Sequence, residues 1–277
     1  MEPTPRADAP DAAIDAAAPP PRANARPPLL DFAIDAIVAV ALLFGISLVC
    51  SAAWGAWRGY ELARAGVRVD AARIGQPGGA ILFGIAMLAV GLAALVVYGR
   101  RRASAQERAE SARRARQPAT WVWAVMVGVA TFLFSSITMA LAAHAGLRPV
   151  PSNVGSFRDI VAHHAWLLWL GTVVLAPAYE ELLFRRVLFG RLWAAGRPWL
   201  GAILSSALFA LLHETPGSSH NGLAAMAVLW LSYGVMGCAF AWVYRHTGTL
   251  WAAIGAHGLN NLLGVALISL ATSAATP

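Results

Sequence analysis

Seven apolar stretches, set apart by short polar connections, constrain this chain more than any other feature of it. They fall at roughly 29–54, 78–98, 120–143, 160–193, 199–213, 222–244 and 249–270. A helix needs about 20 apolar residues to cross a hydrocarbon core of about 30 Å. A chain in that core must satisfy its backbone internally, which leaves helices and closed barrels as the only solutions. Continuous rather than alternating hydrophobicity selects helices. The expected fold class is therefore all-α, a polytopic transmembrane helical bundle of seven membrane helices, or eight with one re-entrant or interfacial helix. Composition agrees: 58% of the residues are hydrophobic and only 13% charged, against about a quarter charged in soluble domains.

Residues 1–27 are rich in Pro, Ala and Asp, lack the apolar segment of a signal peptide, and are expected to form a disordered cytoplasmic tail. Residues 28–150 are expected to supply N-terminal membrane helices, and 151–277 a second helical unit that carries the chemistry. The formal charge is +7, and every basic residue is arginine. With the abundant alanine, this points to a GC-rich bacterial genome and a multi-pass protein of the bacterial inner membrane. The arginines concentrate in the connection "GRRRASAQERAESARRARQ", which orients that connection, and with it the N-terminus, to the cytoplasm. The basic balance is thus a topology signal, with membrane lipid as the expected partner and no nucleic acid. Cys50 and Cys238 lie within apolar runs and read as small core residues.

The stretch "LAPAYEELLFRRVLFG" breaks the apolar pattern with two adjacent glutamates. Charged groups at membrane depth are costly unless paired, and mark a functional site. Glu181 and Arg185 are spaced i, i+4 in the favoured ion-pair order. Glu180 points about 100° away and is free to face a cavity and exchange a proton. Pro177, lacking an N–H, is expected to kink the helix and open room beside it. Phe209 and His213 share a face of the next helix, and His257 and Asn261 share one of the last, while Asn260 points elsewhere. Glu180 lies sixteen residues before the turn at Gly196–Arg197, and His213 sixteen after it, so an antiparallel pair sets them level. His257 and Asn261 reach about 12–18 Å in from the turn at Thr249, at about 1.5 Å per residue.

A glutamate, two histidines and an asparagine in one buried polar layer suit hydrolysis: a base beside water, and donors for the developing oxyanion. Glu180, His213 and His257 also make a possible zinc ligand set with an open position. A cofactor-free site is the main expectation and zinc the alternative.

The ordered set Glu180-Glu181-x-x-x-Arg185, Phe209-x-x-x-His213 and His257-x-x-x-Asn261 resembles the CPBP family. This group comprises the type II CAAX prenyl endopeptidases and bacterial proteins related to bacteriocin processing and immunity. The resemblance covers roughly residues 160–265. It implies an intramembrane endopeptidase cleaving a peptide bond of a membrane-associated or prenylated-type peptide or protein substrate. By the same resemblance, Glu180 and His213 activate water, and His257 with Asn261 stabilises the oxyanion. Glu181 and Arg185, with Phe209, orient the site. Alternatives are a non-enzymatic membrane scaffold or immunity-type protein, and an ion-coupled transporter, which the lack of an inverted repeat disfavours.

Other polar residues have plainer readings. His144, His163, His164, His220 and His246 sit near expected membrane edges. Asp31 and Asp35, one turn apart near the start of the first span, are expected to be structural. The tryptophans read as interfacial belt residues, and the connection Arg100–Arg116 as a topology signal that also suits anionic headgroups.

Overall fold

The computed structural model describes residues 26–217 and 219–274, so the expected tail lies almost wholly outside the described residues. Among the described residues, eleven helices follow one another. They are α1 (Pro28–Arg64), α2 (Ala71–Ile74), α3 (Gly79–Gly99), α4 (Ala105–Ala115), α5 (Pro118–His144) and α6 (Val154–Trp169), then α7 (Ala176–Glu181), α8 (Gly190–Ala194), α9 (Pro198–His213), α10 (Leu223–Thr247) and α11 (Leu250–Ala274). Two π-helical segments, Leu170–Leu175 and Leu182–Phe189, join α6, α7 and α8.

Among the described residues, six helices are long and apolar enough to cross a membrane: α1, α3, α5, the stretch Ala165–Ala194, α10 and Leu250–Leu270 of α11. The fold is an all-α, polytopic membrane bundle. The expected fifth span is the shorter helix α9, of 16 residues. The exterior of the bundle suits lipid: Ile37, Leu48 and Val49 on α1 and Leu141 on α5 are all more than half exposed. Such exposure would be a liability in water and is ordinary against acyl chains.

Local chemistry sets the boundaries. Prolines 28, 118 and 198 each open a helix, where the missing N–H would have no intrahelical partner. Gly248 ends α10 in the left-handed conformation, φ 67°, which a residue without Cβ adopts freely. Where a plain loop was expected, α4 forms. Ser104 and Glu107 make a reciprocal capping box at its start, and Ser111 Oγ lies 2.8 Å from Thr249 Oγ1 at the turn into α11. The first span is also longer than expected. Helix α1 continues to Arg64 over 37 residues, about 56 Å at 1.5 Å per residue, so its last turns project beyond the apolar layer.

Helices α5, α9, α10 and α11 pack as the central group, while α3 lies between α1 and the α6–α8 stretch. Small residues permit the close crossings. A Cβ on Gly128 would stand 2.7 Å from the Ala256 carbonyl oxygen, and one on Gly237 2.7 Å from Ser206 Cβ. The N-terminal helices are tied in by charge. Asp35 is fully buried and accepts from Arg100 Nε at 2.6 Å and Arg191 Nε at 2.7 Å. Asp31 stands 3.6 Å from Arg191. The two aspartates are thus a clamp between α1, the end of α3 and α8. The tryptophans divide: Trp166, Trp199 and Trp251 are exposed, but Trp123 packs edge-on against Trp242 and His246, and Trp193 stacks on Phe189 and meets Tyr244 edge-on.

Candidate active site

The α6–α8 stretch supplies the glutamates. Pro177, where a kink was expected, stands directly after the π-helical segment Leu170–Leu175. A wide turn frees carbonyls from the i→i−4 ladder, so the proline ring and its missing N–H disturb less. One such carbonyl, that of Thr172, accepts from Asn261 Nδ2 at 2.9 Å. Helix α11 comes this close because Gly258 faces the π turn, where a Cβ would meet the Val173 carbonyl oxygen at 2.8 Å.

Glu181 is a buried joint. Its Oε2 lies 3.1 Å from Arg185 Nε, an ion pair that falls short of hydrogen-bond geometry. Its Oε1 lies 2.8 Å from His257 Nδ1. A carboxylate can only accept here, so Nδ1 carries the proton and Nε2 of a neutral ring is left as an acceptor. Arg185 also donates from Nη2 to the Gly237 carbonyl at 3.2 Å. Its guanidinium lies 4.8 Å from the Phe209 ring, 5.4 Å from Phe240 and 5.8 Å from Phe184. Aromatic faces attract a desolvated cation, so a charge at this depth has both a counter-ion and a π cage.

His213 ends α9. Its Nδ1 is 2.9 Å from the Phe209 carbonyl oxygen, and by the same reasoning it donates, leaving Nε2 as acceptor. Its ring packs between Phe209, with centroids 4.2 Å apart, and Tyr233 at 4.6 Å. His257 stacks on Phe240 at 4.8 Å. Both imidazoles turn Nε2 toward Glu180, whose Oε2 stands 3.8 Å from His213 Nε2 and 3.7 Å from His257 Nε2. This oxygen is buried and has no hydrogen-bond partner. Three lone-pair acceptors therefore converge on one point. That arrangement suits a shared proton or a water molecule donating both its hydrogens.

Of the seven residues singled out from sequence, Glu180, Glu181, Arg185, Phe209, His213 and His257 form one contact network. Asn261 bonds elsewhere: one amide N–H is committed to the Thr172 carbonyl on the helical stretch that carries the glutamates, and its Oδ1 accepts from Asn260 Nδ2 at 3.2 Å. Asn260, expected to point away, is bonded in turn by Thr131 Oγ1 at 3.2 Å. Thr172, Thr131, Tyr233 and Phe240 escaped the sequence reading. Thr172 acts through its carbonyl, which leaves no trace in side-chain spacing, and the other three look like ordinary apolar or small helix residues. Among the described residues, no trio of His, Cys, Asp or Glu is set out to hold a metal ion.

Depth also emerges. His213 lies at the far end of α9 from Pro198, about 22 Å at 1.5 Å per residue, and Glu214 follows it, fully buried. The Glu214 carboxylate accepts from Ser152 N at 2.6 Å and Ser152 Oγ at 2.7 Å. The cluster thus sits beneath the Ser152–Glu214 connection, on the side away from the Asp35 clamp. His246 packs on tryptophans outside the cluster, and the side chains of His163 and His164 lie outside the described residues.

With this geometry in place, comparison with known proteins is direct. Residues 162–263 match the family model described as type II CAAX prenyl endopeptidase Rce1-like, and this span holds all seven of the residues above. Over that span the chain is similar to the CPBP/Rce1-like proteases. Two Bacillus subtilis (strain 168) proteins are also similar to the chain. "Putative membrane peptidase YdiL" is 27% identical over 116 residues, covering 42% of this chain and 43% of that protein. "Uncharacterized protein YyaK" is 32% identical over 105 residues, covering 35% of this chain and 32% of that protein. The chain spans less than half the length of these curated relatives. No solved structure matches it. The matched span takes in the glutamate-bearing helix, α9, α10 and the first half of α11, whereas α1 to α5 lie outside it.

Proposed function

We propose that the chain is an intramembrane endopeptidase with a glutamate-activated water. The observation that carries this reading is the buried, unpartnered Oε2 of Glu180 between two imidazole Nε2 atoms, at 3.8 and 3.7 Å. In the proposed step, water held there gives a proton to the Glu180–His213 pair while its oxygen attacks the scissile carbonyl carbon. The carbonyl oxygen becomes an oxyanion, met by the remaining amide N–H of Asn261 and by His257 in its protonated form, in which Nε2 also donates. Collapse of this intermediate breaks the C–N bond, and the held proton passes to the departing amine. Glu181 fixes the tautomer of His257 and neutralises Arg185. Residues 28–150 form the flanking membrane unit and 151–277 the catalytic one.

The substrate class is a membrane-associated or prenylated-type peptide or protein that reaches the site from the bilayer, since the cluster lies toward the face opposite the arginine-rich one. The chain crosses a bacterial inner membrane seven times, counting α9, with its N-terminus in the cytoplasm. The arginines at the ends of α3 and α8 and in α4 support that orientation.

Cleavage of a fluorogenic peptide library by the purified chain in nanodiscs tests the reading. Glu180→Gln should lower kcat by at least about 10²-fold, the usual contribution of a general base, and a chelator should leave the wild type unchanged. Chelator-sensitive cleavage restored by zinc would replace the glutamate mechanism with a metal one. Absence of any Glu180-dependent cleavage from folded protein would sink the enzymatic reading in favour of a scaffold or immunity-type role.

A further inference from the structure

On the arginine-rich side, a second polar feature stands apart from the cluster. A cavity of about 720 Å³ lies beneath α4, bounded by α8 and the turn between α10 and α11, and none of Glu180, His213, His257 or Asn261 lines it. That volume is in the range of small-molecule sites. Five arginines line it, Arg101, Arg108, Arg114, Arg186 and Arg245, against two acidic residues, Glu107 and Glu110.

The acids are already engaged. Glu110 accepts from Arg113 and Arg114 at 2.6–2.9 Å. Glu107 caps Ser104 and accepts from Arg186 at 3.0 Å. Cation remains in excess, and part of it is stranded: Arg101 Nη1, Arg186 Nε and Arg245 Nε are buried without hydrogen-bond partners. Burial, with Arg186 and Arg191 adding like charge, pulls the Arg101 guanidinium down to about 10. Buried donors without acceptors are costly, and an anion relieves both the unmet bonds and the repulsion. The wall also carries an apolar part, formed by Leu182, Trp193, Leu250, Trp251 and Ile254, and Trp251 is more than half exposed.

We propose that this cavity binds an anionic amphiphile, with a phosphate-diester headgroup on Arg101, Arg186 and Arg245 and a hydrocarbon tail against Trp193, Trp251 and Ile254. Planar guanidinium groups recognise phosphate by paired N–H donors, and the juxtamembrane position matches the headgroup layer. The ligand class is an anionic phospholipid, and free phosphate is the other source of the same headgroup chemistry.

The test titrates the full-length chain in mild detergent with three probes: short-chain phosphatidylglycerol, short-chain phosphatidylcholine and inorganic phosphate. Affinity and melting temperature are the readouts. Phosphatidylglycerol should raise the melting temperature saturably, with each other probe at least about tenfold weaker, as expected when a charge-assisted contact or the apolar burial is missing. Arg101→Gln combined with Arg245→Gln should weaken phosphatidylglycerol by about tenfold or more. Ala103→Glu, which adds a negative charge to the lining and removes no arginine, should do the same, and it keeps the test valid if the double variant misfolds. Equal affinity for both lipids, or unchanged affinity in the variants, would overturn the site. Inorganic phosphate binding as tightly as the lipid would overturn the amphiphile and leave a simple anion site.

Discussion

Glu180 and Glu181 are neighbours in sequence with opposite surroundings. Glu181 touches both Arg185 and His257, whereas the facing oxygen of Glu180 touches nothing within hydrogen-bond reach. Their substitutions should therefore separate. Glu181→Gln leaves a buried guanidinium without its counter-ion, a class of change that costs about 3–5 kcal/mol, and it replaces the charge-assisted acceptor of the His257 ring with a neutral one. We expect both stability and cleavage to fall, read by denaturation in detergent and by kcat/KM. Glu180→Gln should alter stability by less than about 1 kcal/mol, since no established hydrogen bond is lost, while removing cleavage. Equal destabilisation by the two variants would contradict this division. The pairing of Glu181 with Arg185 was legible because helical spacing alone sets it. The bond from Glu181 to His257 was not: it joins residues 76 apart and depends on how α11 is rotated against the glutamate helix. Nor did spacing show that Asn261 commits an N–H to a carbonyl released by a π turn.

At the scale of helices, the π segments and α4 are the features that apolar pattern could not foretell. A π turn differs from an α turn by one residue, and hydrophobic runs are too coarse to register it. Helix α4 was hidden by its own charge, because a run of arginines reads first as a connection. Its capping box makes it testable. Ser104→Ala should cost about 1 kcal/mol and speed amide exchange within 105–115 more than elsewhere. Acid should act on the same helix. Burial opposes ionisation of Glu107, but the Ser104 N–H and Arg186 outweigh it and hold the carboxyl below its ordinary value. A depressed carboxylate contributes stability above its unfolded pKa and loses it as pH falls through the folded one. Exchange in α4 should thus rise as pH drops below about 4.3, the ordinary glutamate value, while α10 stays protected. Close helix crossings give a further check. Gly237→Ala places a methyl 2.7 Å from Ser206 Cβ and should cost about 1–3 kcal/mol through overpacking. Gly84→Ala meets nothing within 4 Å and should be close to neutral, both read by thermal unfolding.

For the whole molecule, the ends of the elements sort into two faces. The starts of α1, α5, α9 and α11 lie with the ends of α3, α8 and α10, tied by Asp35 to Arg100 and Arg191 and by Ser111 to Thr249. Single cysteines in a chain with Cys50 and Cys238 replaced by Ala should report this sidedness. Gln106→Cys should be labelled by an impermeant reagent only from the cytoplasm, and Ala145→Cys only from outside. The reverse pattern would invert the orientation. The all-α membrane class was determined by sequence alone, because bilayer thickness and backbone satisfaction leave a run of apolar residues little choice. So was the order of the polar motifs on their helices, since periodicity is a one-dimensional property. Tertiary packing decided which atoms meet. It aligned two imidazoles on one glutamate oxygen, turned the aspartates into a clamp, and gathered arginines around a cavity. Each outcome depends on helix rotation and depth, set by many small contacts between residues distant in the chain and recorded in no single stretch of it.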